Sequence, residues 1–359
     1  MKLRKIHIDN YKIFQNFDLD LTHNGKSQNL IVIAGINGSG KTTLFKEVIY
    51  HTLKYKTILK KSYIELEYED NGNNKLFVID TQSLQPDFPE EKEYRDNVLF
   101  PKFKNIFFYK AGLSADNKNA KDIIVKYIDT LIYEKDKKSS EAYSTAQEIL
   151  NSIFNDFELQ IEFKGIDRNR EIRFKNFKSD NIKIEELSNG EQELITKAFS
   201  IYLADIKDSI ILIDEPESSL HPNWQSRIVQ IYQTIAEKNN NQIILATHSP
   251  HIAASVHKEQ IRVIVKENGN LRVISNFNGS YGWKVDRILL EIFRINGLRT
   301  PIIENKLSEL REMIFLNKYE TDEFKNLKGE LEKIIGFDDM DLALIRMEIA
   351  RRKKNEKNQ

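Results

Sequence analysis

One stretch constrains this chain more than any other: Gly35-Ile36-Asn37-Gly38-Ser39-Gly40-Lys41-Thr42-Thr43, which follows the apolar run 30–34 and precedes a helical pattern through Leu44, Val48 and Ile49. It fits G-x-x-x-x-G-K-[ST]. In such a loop the glycines let successive backbone N–H groups turn inward around phosphates, and the helix that follows aims its positive end at them. Gly35, Asn37, Gly38, Ser39, Gly40, Lys41, Thr42 and Thr43 are therefore the candidate nucleotide-binding residues. Lys41 would reach the β and γ phosphates, and the Thr42 hydroxyl would ligate Mg²⁺. A strand entering the loop and a helix leaving it predict an α/β fold.

Two further apolar runs end in polar side chains. Ser209-Ile210-Ile211-Leu212-Ile213 leads into Asp214-Glu215-Pro216-Glu217, and Gln242-Ile243-Ile244-Leu245-Ala246-Thr247 leads into His248-Ser249-Pro250. Open parallel sheets bind ligands beyond the carboxyl ends of their strands, so these ends are where chemistry is expected. Asp214 would hold the Mg²⁺ shell, Glu215 would polarise an attacking water, and His248 could reach a γ-phosphate oxygen. A fourth stretch, Glu186-Leu187-Ser188-Asn189-Gly190-Glu191-Gln192-Glu193, precedes helical periodicity through Leu194, Ala198 and Leu203. There Ser188 reads as an N-cap with Glu191 in capping-box position.

The remaining chain supplies scaffold. Alternation over 5–8 and 17–21 predicts strands ahead of the loop, and 62–68 with 75–79 across Asn71-Gly72-Asn73-Asn74 predicts a hairpin. The turn Asn10-Tyr11-Lys12-Ile13-Phe14 either brings an aromatic and a cation to the nucleotide or is a solvated turn with a core Phe. Strand patterns recur at 105–109, 159–163, 171–174, 262–265 and 271–274. Between them, 114–157 is Lys-rich and helical, with Ile123, Ile124, Tyr127, Ile128 and Leu131 on one face. The tail predicts helices over 283–295, 303–316, 321–335 and 339–352, with Asp338, Asp339 and Asp341 at the capped start of the last. The expected organisation is a core of 1–113 and 158–278, an inserted helical lobe of 114–157 and a C-terminal helical module of 279–359. A glutamine able to sense Mg²⁺ and water beside the phosphate loop would have to come from this region, where Gln82 and Gln85 are the candidates.

Together G-x-N-G-S-G-K-T-T, L-S-N-G-E, I-L-I-D-E-P-E-x-x-L-H-P and A-T-H-S-P, in this order, resemble the ABC-type ATPase superfamily. The ending 216–222 is similar to the branch of overcoming-lysogenization-defect, RecF-like and Rad50-like proteins. The resemblance implies a mixed sheet with a phosphate loop, ATP and Mg²⁺ as cofactors, and hydrolysis to ADP and phosphate. It also implies a homodimer through the heads, in which the trans signature Ser188, Asn189, Gly190 and Glu191 of one copy meets the γ-phosphate held by the other. Asn189 and Glu191 replace the commoner Gly and Gln of that signature, and His221 stands where transporter ATPases carry an Asp that couples the sites. The tail phrases Tyr281-Gly282-Trp283, Asn296-Gly297-Leu298-Arg299-Thr300-Pro301 and Ile335-Gly336-Phe337-Asp338-Asp339 are similar to Septu-type and retron-associated anti-phage defence ATPases. Those work with a separate HNH-type endonuclease.

Length and charge narrow the alternatives. The roughly 145 residues between Lys41 and Ser188 are too few, at about 1.5 Å per helical residue, for the long coiled coil of a chromosome-maintenance protein. Charge balances at 54 basic and 54 acidic residues, so DNA binding would need a local patch such as Lys118, Lys121, Lys126 and the run from Lys135 to Lys138. That patch is the basis of the alternative reading, a RecF-like DNA-repair clamp. No run approaches the roughly 20 apolar residues of a membrane span, no signal-like segment opens the chain, and cysteine is absent. A cytoplasmic protein without membrane contact is expected.

Overall fold

The computed structural model describes residues 1–55, 59–70, 73–80, 106–110, 120–167, 171–177, 179–203, 206–267, 269–295 and 297–357. Two compact units are present, Met1–Ile288 and Leu289–Gln359. Gln82, Gln85 and Lys118 lie outside the described residues.

The first unit is built on a six-stranded sheet with the order Asn270–Ile274, Ile261–Glu267, Leu30–Ala34, Gln242–Thr247, Ile210–Asp214, Ile106–Tyr109. All neighbours run parallel except the terminal pair Ile261–Glu267 and Asn270–Ile274, which is antiparallel. The three central strands are buried at every position, which explains why they read as unbroken apolar runs: a parallel sheet is covered on both faces. Each Ile, Leu or Val sealed in this way stabilises the fold by about 1.5–3 kcal/mol.

A four-stranded antiparallel sheet lies in the same unit, with Lys2–Tyr11 between Phe14–Asp20 and Tyr63–Asp70, and Asn73–Asp80 outermost. Leu3, Ile6, Ile8, Phe17, Leu19, Ile64 and Leu66 from it share one core with Leu44, Phe45, Val48 and Ile49 of the helix after the phosphate loop. That helical stretch runs over 41–55, and its middle, Leu44–Tyr50, is wound as a π-helix. Helices 120–134 and Ser139–Asp156 accompany a three-stranded sheet of Ile161–Ile166, Ile172–Asn176 and Ile182–Lys183. Gln147 and Asn151 join the second helix to that sheet through the Phe163 carbonyl and N–H, at 2.9 and 3.1 Å.

The second unit contains Pro301–Phe315, Asp322–Ile335 and Met340–Lys357, packed around Leu307, Leu310, Phe324, Leu331 and Leu342. Of the three aspartates expected at the capped start of the last helix, Asp339 makes the cap. Asp339 accepts from the N–H groups of Asp341 and Leu342, and Arg299 donates to Asp339 at 2.7 Å and to Asp341 at 2.9 Å. The last helix runs past the expected Arg352 to Lys357, and within it Arg351 and Arg352 both pair with Glu348 one turn back, whose carboxyl they depress to about 2.

Candidate functional site

Register brings the chemistry to one edge of the large sheet. Ala34 pairs with Thr247, and Ala246 with Asp214, so three adjacent parallel strands end level and release Gly35, Asp214-Glu215 and His248 on the same side. The Gly35 N–H donates to the Thr247 carbonyl at 3.2 Å and the Glu215 N–H to the Ala246 carbonyl at 2.8 Å, which fixes the exits of two of these turns.

The loop closes around Lys41. Its ammonium donates to the carbonyls of Gly35 and Ile36 at 2.7 and 3.0 Å and to Ser39 Oγ at 3.2 Å. Burial lowers the Lys41 pKa, while the nearby carboxylates of Asp214, Glu217 and Glu215 pull it back up. Gly38 and Gly40 hold φ of 79° and 85°, the left-handed region that glycine occupies without strain. At Gly40 space is short as well, since an added Cβ would lie 2.6 Å from Ile13 Cδ1 and 2.9 Å from Phe14 Cζ. Gly40→Ala should therefore destabilise the first unit by about 1–3 kcal/mol and weaken triphosphate binding at least tenfold, checked by thermal melting and nucleotide titration. Unchanged melting would overturn the steric argument.

The turn at 10–14 is tied down at both ends. Tyr11 Oη donates to Glu47 at 2.6 Å, Lys12 pairs with the same carboxylate at 2.5 Å, and Phe14 is fully buried. Phe14 thus belongs to the core and braces Gly40, while Tyr11 and Lys12 are tied to the helix after the loop.

Asp214 is buried beside Thr42, whose hydroxyl bonds its carboxylate. Burial raises the Asp214 pKa, and the Thr42 bond opposes that shift. Asp214 Oδ1 is buried without a hydrogen-bond partner among the described residues. A buried oxygen left open next to a hydroxyl is the donor set a hard divalent cation takes, so Thr42 and Asp214 fit Mg²⁺. Among the described residues no group of three or more His, Cys, Asp or Glu could hold a metal, so an ion here would draw its other ligands from phosphate and water.

Glu215 is a non-glycine residue at φ 51°, and Ser219 follows at φ 63°, so the segment 215–219 is strained and needs support. Support arrives from two side chains that sequence reasoning passed over. Lys197 Nζ donates to the Pro216 carbonyl at 3.3 Å, to Ser218 Oγ at 3.1 Å and to the Ser218 carbonyl. Glu217 accepts from Thr247 and from the His248 N–H on the other side. The signal for Lys197 was present: a cation in a helical stripe with Leu194, Ile195, Ala198 and Ile201, all buried. Burial lowers its pKa, and Glu193 is the largest opposing influence.

The signature stretch starts the helix Asn189–Leu203. Ser188 N–H and Oγ both donate to Glu191 at 2.8 and 2.7 Å, and the Glu191 N–H returns to Ser188 Oγ at 3.3 Å, the capping box that the spacing predicts. Ser188 and Asn189 are exposed. Gly190 lies against Trp224, where an added Cβ would come within 3.1 Å of the indole. His221 caps Pro222–Lys238 by accepting from the Asn223 N–H at 3.3 Å.

A phosphate-type loop, a carboxylate pair and a histidine on the level ends of a parallel sheet, flanked by an antiparallel sheet and a capped helix, form an ABC-type ATPase head. Residues 62–254 match the family described as "AAA domain, putative AbiEii toxin, Type IV TA system", more than half of the sequence, and the chain belongs to that family. It is 25% identical to a Septu protein PtuA of Bacillus mycoides over 92% of this chain and 50% of the relative. A PtuA of Bacillus thuringiensis is 30% identical over 50% of this chain and 54% of its own length. The Escherichia coli protein named "Retron Ec83 probable ATPase" is 24% identical over 81% of this chain and 53% of its own. The chain thus spans about half the length of these curated relatives. A solved SMC head bound to the C-winged helix domain of ScpA shares the fold with a TM-score of 0.50 at 16% identity, covering 77% of this chain and 98% of that one. No helix among the described residues is long and apolar enough to cross a membrane.

Proposed function

We propose that this chain binds Mg·ATP in the loop 35–43, hydrolyses it between two heads that close face to face, and acts in anti-phage defence through a separate HNH-type nuclease. The carrying observation is the shared edge at which Gly35, Asp214-Glu215 and His248 leave three strands in register, with Lys41 and Thr42 of the loop and its helix beside Asp214. Backbone amides of the loop and the Lys41 ammonium would neutralise the transferring phosphoryl group, and Glu215 would orient water. The cation held by Thr42 and Asp214 would supply further charge neutralisation at the β and γ oxygens. Similarity to two Septu proteins and a retron ATPase supports the defence setting.

The head-to-head arrangement draws support from the exposure of Ser188 and Asn189 at a helix start, where N–H groups and the helix dipole favour an anion. Ser188→Arg should leave one-copy ATP binding within about twofold, because Ser188 belongs to the opposite face in this reading. ATP-dependent dimerisation, read by size exclusion with light scattering, should weaken at least tenfold as a bulky side chain enters the interface. An undiminished dimer would remove the trans contact. Salt-sensitive binding of duplex DNA by the chain alone, with no nuclease co-purifying, would replace the nuclease partnership with the repair-clamp reading.

A further inference from the structure

One buried carboxylate organises the end of the strand that carries His248. Glu217 Oε1 accepts from Thr247 Oγ1 at 2.7 Å and from the His248 backbone N–H at 2.8 Å, and His248 Nδ1 lies 3.2 Å from the same oxygen. Glu215 stands farther from that nitrogen, at 3.7 Å. The Glu217 side chain is 4% exposed and that of His248 41%, so a rigid group grips one that faces solvent.

The two hydrogen bonds to Glu217 have fixed directions, and the approach of Nδ1 is read against them. The Ser249 N–H donates to Thr247 Oγ1 at 2.9 Å, so the Thr247 hydroxyl proton is directed to Glu217. Glu217 Oε1 then receives an O–H and an N–H, and a third group approaching that oxygen must also arrive as a donor. Nδ1 is that group.

The geometry points to Glu217 as the positioning residue for His248: it holds a proton on Nδ1 and leaves Nε2 as the ring nitrogen turned to the site. Only what Nε2 meets there, a γ-phosphate oxygen, rests on the ATPase reading. Histidines in catalytic and metal sites are commonly oriented in this way by a carboxylate on the second nitrogen. Lys197 complements the arrangement by pinning the neighbouring carbonyls of Pro216 and Ser218, so that Glu217 is held from the chain on both sides.

Two measurements on the full chain test this. Ring-nitrogen NMR of the ¹⁵N-labelled protein without nucleotide, with the His248 signals assigned by their loss in His248→Ala, should show Nδ1 protonated. In Glu217→Gln, which keeps an acceptor for Thr247 and the His248 N–H but loses the charge, the ring should shift toward the Nε2–H form. A bare Nδ1 in the unmodified protein, or identical ring signals in the variant, would overturn the inference, and the first of these needs no folded variant. In steady-state hydrolysis Glu217→Gln should lower kcat about tenfold with KM for ATP little changed, and cost less than twofold in the His248→Ala background. Multiplying effects would assign Glu217 a role independent of the histidine. Absence of hydrolysis in the unmodified protein would count against the ATPase reading alone, since the ring-nitrogen result stands without it.

Discussion

Lys41→Ala should abolish measurable triphosphate binding, raising Kd at least a hundredfold, while the protein without nucleotide should melt within a few degrees of the unmodified chain. The two halves of this expectation have different causes. A lysine bridging β and γ phosphates makes charge-assisted hydrogen bonds that contribute about 1.5–3 kcal/mol each, so two of them exceed the roughly 2.7 kcal/mol of a hundredfold loss. In the free protein the same ammonium is buried, and desolvation lowers its pKa even with Asp214, Glu217 and Glu215 nearby. Its three hydrogen bonds to the loop offset that cost, so deletion changes stability little. Calorimetric titration with a non-hydrolysable analogue, beside thermal melts with and without it, separates the effects. The unmodified protein should gain stability with ligand and the variant should not. Equal affinity in the two proteins would disconnect the loop from the nucleotide. Lys41→Arg should also bind poorly, because the pocket formed by Gly35, Ile36 and Ser39 is closed around a compact ammonium.

The sheet was legible from sequence because its strands are buried on both faces: 30–34, 210–213 and 243–246 are written entirely in Ile, Leu, Val and Ala, the first stopping at Gly35 and the other two at polar residues. The capping box at Ser188 and Glu191 was legible for a different reason, since it depends only on residues three apart. Contacts between distant segments leave no such mark. The apolar stripe around Lys197 marks it as a cation on a core-facing side of its helix, but nothing in 186–203 names its partners, the carbonyls of Pro216 and Ser218, because they are backbone atoms that every residue carries. Glu217 was visible within a four-motif set, yet its partners, Thr247 and the His248 N–H, lie about thirty residues on and become neighbours only through strand pairing. Likewise Gly40 looked like a loop glycine, and its second constraint, the side chains of Ile13 and Phe14, comes from a hairpin in another sheet. Local chemistry could be read from the order of residues, whereas the supports that hold Glu215 and His248 required the fold.

Glu215→Gln should separate binding from hydrolysis. Glu215 follows the buried Asp214 at the strand end, and its φ of 51° with the N–H fixed on the Ala246 carbonyl sets the side chain at the edge where the loop also opens. Glutamine has the same shape and adopts the same backbone, so the strained turn, the Lys197 contacts and the Thr42 and Asp214 oxygens stay in place. What disappears is the negative charge that, in the proposed mechanism, would orient and deprotonate water, a contribution of about a hundred- to ten-thousandfold in rate. Phosphate release should therefore fall by at least a hundredfold with ATP affinity kept within about twofold. Because the triphosphate persists, two copies joined around it should persist as well, so Glu215→Gln with Mg·ATP should elute as a dimer under conditions where the unmodified protein returns to its nucleotide-free state. The contrast with Glu217→Gln is diagnostic: one variant removes the charge proposed to face water, the other the charge behind His248, and only the second should lose its effect when the histidine is absent. Hydrolysis by Glu215→Gln at the unmodified rate would move water activation to another residue and leave Glu215 with the geometry of its turn as its sole role.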